Sequence, residues 1–118
     1  MVTFAAGTVV LVRFPFSDLS AVKLRPAVVL ADVGRGDYIL SQITSKPYAD
    51  DGAVEIVDDA FATGSLRLTS YARPTKLFTA NDDLITVQVG RLKAEVFQNV
   101  VQKVIDTLTS SVGSARAS

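Results

Sequence analysis

The pattern of apolar and polar positions reads as β almost throughout, then changes period near the end. Gly7–Phe16 (GTVVLVRFPF) is dense in β-branched and aromatic residues and predicts a strand that stops at the loop SDLSAVKL. Ala27–Val33 is a nearly unbroken apolar run, the pattern of a buried strand. GRGD at 34–37 has turn chemistry, and Tyr38–Thr44 (YILSQIT) is the next strand, ended by Ser45-Lys46-Pro47. Ala53–Val57 predicts a short strand, Leu66–Phe78 a long one interrupted at Arg73-Pro74, and Leu84–Val89 the last. Val96, Phe97, Val100, Val101, Val104, Ile105 and Leu108 then fall at helical spacing, opposite Glu95, Gln98, Asn99, Gln102, Lys103 and Asp106. This predicts an amphipathic helix over 94–109 and a flexible tail over 110–118. Arg91 and Lys93 stand where acidic residues would favour a helix start.

With no repeat and no linker, residues 1–109 read as a single domain. Short strands and one late helix predict a mainly β fold, a small, strongly bent antiparallel barrel with the helix packed on it. A doubly wound α/β fold is excluded, because no helices alternate with the strands.

Composition narrows the chemistry. The 118 residues include no cysteine and no histidine. Disulfides, thiolate catalysis, Cys-based zinc sites and Ser-His-Asp arrangements are therefore excluded. Twelve Lys/Arg balance twelve Asp/Glu, so bulk charge gives no case for nucleic acid. The split is uneven: five cations and three anions up to residue 46, seven and nine after it. No window approaches a membrane span, and no basic region followed by an apolar run opens the sequence, so a soluble cytoplasmic protein is expected.

The stretch KLRPAVVLA (23–31) puts Arg25 and Pro26 in front of the apolar run. If Gly34-Arg35 is the hairpin loop, paired numbers sum to 69 and Arg25 lies opposite Thr44. If the loop is Arg35-Gly36, the sum is 71 and Arg25 faces Lys46. A bulge shifts either by one. Every version brings Arg25 beside Thr44-Ser45-Lys46, with opposed Cβ atoms about 5 Å apart. Pro26 cannot donate to a ladder and belongs at a strand's start or on an edge. A guanidinium, a hydroxyl and an ammonium converging at one rim suit a phosphodiester. A rim arginine with ordinary neighbours is the other reading.

GTVVLVRFPFSD, RPAVVL, ILSQITSKP, SYARPTKLF and the helix after VGRLKAEVF, in this order, resemble the MazF/PemK toxins of type II toxin–antitoxin modules. The likeness runs from about residue 7 to residue 108. It implies an SH3-like barrel, a homodimer, a cognate antitoxin as partner, and metal-independent, sequence-specific cleavage of single-stranded RNA without a cofactor. By that resemblance the 2′-OH attacks the adjacent phosphate, leaving a 2′,3′-cyclic phosphate and a 5′-OH. The catalytic pair it implies is Arg25 of the RP motif and Thr44 of the IT motif. A gyrase-poisoning toxin of the same fold and a non-catalytic SH3-like module are the alternatives.

The chain departs from the family pattern in two places. Its first loop is SDLSAVKL, where many members carry a Glu-Gln-Gly-like stretch, and Asp18 is the only carboxylate in it. Leu68 and Ser70 stand where some members place an Arg and an Asp, so base specificity is expected to differ. Asp18, Lys23, Ser45, Lys46, Ser70 and Arg73 are the candidate RNA contacts. Arg73 repeats the Arg-Pro device, and a phosphate contact and a surface arginine at a kink stand as equal readings. Asp50-Asp51, Asp58-Asp59 and Asp82-Asp83 read as turn residues rather than metal ligands, since neighbours on an extended segment point to opposite faces. Phe14 and Phe16 share a face and read as core.

Overall fold

The run Ala27–Val29 is apolar at every position because both of its faces are covered. Val28 belongs to one apolar cluster, with Val9, Ile43, Ile56, Phe61, Leu92 and Val100. Ala27 and Val29 belong to a second, with Val10, Val12, Tyr38, Leu40 and Ile85. A strand between two cores loses the alternation of a half-buried one.

The computed structural model describes residues 3–15, 22–47 and 50–117. Its strands are β1 (Thr8–Pro15), β2 (Val22–Gly34), β3 (Asp37–Thr44), β4 (Val54–Ile56), β5 (Phe61–Gly64), β6 (Ser70–Asn81) and β7 (Ile85–Leu92), followed by α1 (Ala94–Ala117). All pair antiparallel in one sheet of order β4-β6-β3-β2-β1-β7-β5, curled into a half-barrel. Register shifts on both β1–β7 and β2–β3 add the local twist that a curled sheet needs. The first apolar cluster lies under α1, which packs across β6 and β4. Phe14 packs edge-on against Phe78, ring centroids 4.9 Å apart, beside the second cluster.

The expected fold class is the observed one, and the boundaries move for identifiable reasons. β2 begins at Val22, so Arg25 and Pro26 lie inside the strand and not ahead of it. Residues 22–28 pair with β1, whereas pairing with β3 ends at Ala27↔Gln42. Pro26 therefore sits where β2 has a neighbour on one side only, and its missing N–H costs no ladder bond there.

β6 starts at Ser70 rather than Leu66, and the strand is continuous through Arg73-Pro74. Its pairing is not: Ser41 opposes Leu77 but Ile43 opposes Ala72, so residues 73–76 form an irregular bulge that accommodates the proline. β5 is an unforeseen strand. Its end crosses β7 so closely that a Cβ at Gly64 would lie 2.1 Å from the Val89 carbonyl oxygen.

α1 runs past the expected end at 109 to Ala117. Hydroxyls of Thr107, Thr109 and Ser110 donate to carbonyls three and four residues back, keeping polar side chains compatible with further turns. Its start is fixed through backbone: Lys93 N–H donates to the Ala60 carbonyl, and the Lys93 carbonyl accepts from Phe97 N–H.

Candidate active site

The β2–β3 hairpin decides what Arg25 faces. Its loop is Arg35-Gly36, both with positive φ (58° and 79°), the geometry of a type I′ turn. Gly34 opposes Asp37, which gives the sum of 71 and would carry Lys46 opposite Arg25. Two register shifts intervene, between Asp32 and Gly34 and between Val29 and Ala31. By Ala27↔Gln42 the sum is 69. Continued two residues, that register sets Arg25 level with Thr44, on the same face of the sheet.

Both residues line a cleft of about 370 Å³, shared with Lys23, Leu24, Pro26, Ser45, Lys46, Leu66, Leu68 and Ser70. Among the described residues, three cations and no carboxylate line it, in a chain with no net charge. The Thr44 hydroxyl oxygen accepts from Lys46 N–H at 3.2 Å. That bond uses a lone pair and leaves the hydroxyl hydrogen to donate into the cleft. Arg25 is half-buried, between Val12 on β1 and the opening.

Six of the eight residues singled out from sequence meet here: Arg25, Thr44, Lys23, Ser45, Lys46 and Ser70. Ser70 is 4 % exposed, and its hydroxyl donates to the Leu68 carbonyl at 3.0 Å. Asp18 lies outside the described residues, as does Phe16.

Arg73 is not in the cleft lining. Its Nε lies 3.9 Å from Asp50 Oδ2, with side chains 18 % and 5 % exposed. The same carboxylate oxygen accepts from the Thr75 hydroxyl at 2.5 Å and from Thr75 N–H at 3.3 Å. The buried Ser41 hydroxyl donates to the Arg73 carbonyl at 2.7 Å. This polar knot ties the loop after β3 to the bulge in β6.

Two of the acidic pairs lie in turns, as expected. Asp58-Asp59 and Asp82-Asp83 open two 3-10 turns, and the Asn81 side chain accepts from Asp83 N–H.

Leu24, Leu66 and Leu68 form the apolar wall of the cleft; sequence reasoning misses Leu24 and Leu66 and meets Leu68 only as a departure from the family pattern. The apolar pattern predicts a strand over Leu66–Phe78, which includes Leu66 and Leu68. They sit instead in a loop, 65–69, held by Arg67 at φ 62° and by the Ser65 side chain, which accepts from Arg67 N–H and donates to Asp58. A non-glycine residue at positive φ is the feature that turns Leu68 outward, to 61 % exposure.

A model of the PemK-like, MazF-like toxins of type II toxin–antitoxin systems matches residues 5–108. The chain belongs to this toxin family. Solved structures share the fold. A MazE–MazF structure from Deinococcus radiodurans (form III) superposes with a TM-score of 0.70 at 18 % identity, covering 88 % of this chain and 94 % of that one. An endoribonuclease in complex with its cognate antitoxin, from a mycobacterial species, gives 0.68 at 14 %, covering 92 % and 96 %. The Mycobacterium tuberculosis toxin MazF-mt6 gives 0.61 at 14 %, covering 85 % and 96 %. A search of curated proteins found no match. Among the described residues of this toxin-family chain, no helix is long and apolar enough to cross a membrane.

Proposed function

We propose that the chain is a toxin endoribonuclease that cuts single-stranded RNA at the Arg25–Thr44 cleft, without a metal. One observation carries the reading: a guanidinium and a preset hydroxyl share a cleft lined by cations, inside a toxin-family fold. The similar mycobacterial structure is of an endoribonuclease.

In this reading the ribose 2′-oxygen attacks the adjacent phosphorus and the bond to the 5′-oxygen breaks. The products are a 2′,3′-cyclic phosphate and a 5′-OH. Negative charge grows on the non-bridging oxygens as the new bond forms. Arg25 meets two of those oxygens with its planar fork, and the Thr44 hydroxyl donates a further hydrogen bond. Arg25 is the proposed proton donor to the departing 5′-oxygen. The acceptor of the 2′ proton is unassigned, and Asp18 is the only carboxylate in the first loop. Lys23, Lys46 and Ser45 hold flanking phosphates, and Ser70 closes the floor of the cleft. In this reading Arg73, which stands beside Asp50, is left out of the contact set.

The working unit in this proposal is a homodimer, because two cationic clefts give a path for several nucleotides where one neutral monomer offers a single small rim. The cognate antitoxin covers the same cleft with acidic and apolar groups and folds as it binds. The test is incubation of the purified protein with mixed single-stranded RNA in EDTA, followed by end-group analysis. The proposal predicts cyclic phosphate and 5′-OH ends. Intact RNA, or cleavage only when a divalent ion is restored, contradicts it.

A further inference from the structure

Loop 65–69 is exposed at its tip, Arg67-Leu68-Thr69, and yet fixed at every turn of its path. Ser65 N–H donates to the Val89 carbonyl at 3.3 Å, and the Ser65 hydroxyl donates to Asp58. Arg67 N–H donates back to the Ser65 hydroxyl oxygen at 2.8 Å. Beyond the tip, the buried Ser70 hydroxyl donates to the Leu68 carbonyl at 3.0 Å. Leu66 packs on the first apolar cluster, while Leu68 stands out in solvent. Arg67 holds a positive φ that non-glycine residues avoid, and the hydrogen bonds around it keep it there. A leucine held rigid in water gains nothing from its rigidity. It gains when an apolar surface is laid against it, since a preset contact loses less freedom on binding.

The cleft indicates what that surface is. Leu24, Leu66 and Leu68 share it with Arg25 and Thr44. In RNA every phosphate has a base one sugar away on either side. A phosphate seated on Arg25 and Thr44 therefore brings a base to this wall. A base offers flat faces that stack on apolar groups and an edge that hydrogen-bonds. The leucines match the face and have nothing to offer the edge.

We propose that Leu66 and Leu68 form a platform that holds the base beside the cleaved phosphate by its face. The inference rests on the RNA-cleavage reading and adds a base contact to it. Every base has such a face, so the platform senses that a base is present and reads its identity weakly. Among the described residues no aromatic ring lines the cleft, and leucine takes the place that aromatic side chains hold in other single-strand binders. Ser70 is a positioning residue here: its hydrogen is committed to the Leu68 carbonyl, which braces the platform from behind.

The test begins by mapping the bond that wild type cuts. Binding is then measured on RNA with 2′-deoxyribose at the cut nucleotide, which lacks the attacking oxygen. Each base flanking the cut is removed in turn, leaving an abasic sugar. Every RNA is titrated with wild type, Leu68→Ala and Leu68→Met, whose exposed site leaves the fold intact. At one of the two positions, base removal and Leu68→Ala should each weaken binding about tenfold, and together no more than either alone. Leu68→Met, of similar volume, should bind intact RNA within about threefold of wild type. Exchanging the base at that position among the four should also stay within about threefold. Losses that multiply, or full affinity in Leu68→Ala, overturn the platform and leave the cleavage reading standing. A preference above about tenfold for one base at that position overturns recognition by the face. RNA left intact by wild type overturns the cleavage reading, and this inference with it.

Discussion

Arg25-Pro26 and Arg73-Pro74 are the same dipeptide in two strands of one sheet, and their surroundings are opposite. Arg25 sits on a stretch of β2 with a neighbour on one side only, and its side chain borders an open cleft. Arg73 sits in a bulge of β6, whose flanking residues pair with both β3 and β4. A cation drawn toward the interior needs a counter-charge, and Asp50 supplies it. Pro26 is half-exposed at an opening, while Pro74 is buried. The dipeptide fixes backbone conformation in both places. What the guanidinium meets is decided by the neighbouring strands, so the same two letters serve a surface in one case and a structural knot in the other.

The largest effect that would sharpen this contrast is on stability. Asp50→Ala removes the carboxylate from Arg73 and strips the Thr75 N–H and hydroxyl of their acceptor. Removing one partner of a buried pair costs about 3–5 kcal/mol, and the 3.9 Å separation and partial exposure of Arg73 put this case near 3 kcal/mol. Arg25→Ala, at the half-buried border of the open cleft, should cost about 1 kcal/mol, the centre of the range for single substitutions. Denaturant unfolding of both variants checks the pair of values. Equal losses would erase the distinction between the two arginines.

Next in size is an effect on rate. Thr44→Val keeps the β-branch and deletes the hydroxyl, so the strand should persist. Loss of one preorganised donor predicts a drop of about 10² in single-turnover cleavage, near 2.7 kcal/mol. RNA affinity measured alongside should stay within a few-fold.

The smallest effect is on salt dependence. Lys46→Ala deletes one proposed phosphate contact and should lower the slope of log affinity against log salt by about 0.7. Arg73→Gln, which removes the charge, should leave that slope unchanged in the folded protein. A fall of about 0.7 on Arg73→Gln would return Arg73 to the RNA surface.

Much of this was legible in the sequence. The Arg25–Thr44 juxtaposition came from pairing arithmetic, because a hairpin transmits register along both strands. It held only because two bulges moved the sum from 71 to 69, and bulges leave little trace in composition. The fate of Arg73 depended on Asp50, which reads locally as a turn residue before Gly52. Leu66 and Leu68 fall in a loop where a strand is expected, since apolar residues ahead of a strand extend its pattern whether or not they pair. The helix end was misplaced because apolar periodicity marks where a helix packs, and α1 continues after its packing stops.

The central claim is that Arg25, and not Arg73, meets the scissile phosphate. Single-turnover cleavage of one RNA by folded wild type, Arg25→Lys and Arg73→Lys tests it most directly. Lysine keeps the charge and loses the planar fork. The account predicts a fall of about 10²–10³ for Arg25→Lys, with Arg73→Lys within a few-fold of wild type. Cleavage by Arg25→Lys near the wild-type rate, or a comparable loss in Arg73→Lys without unfolding, would contradict it.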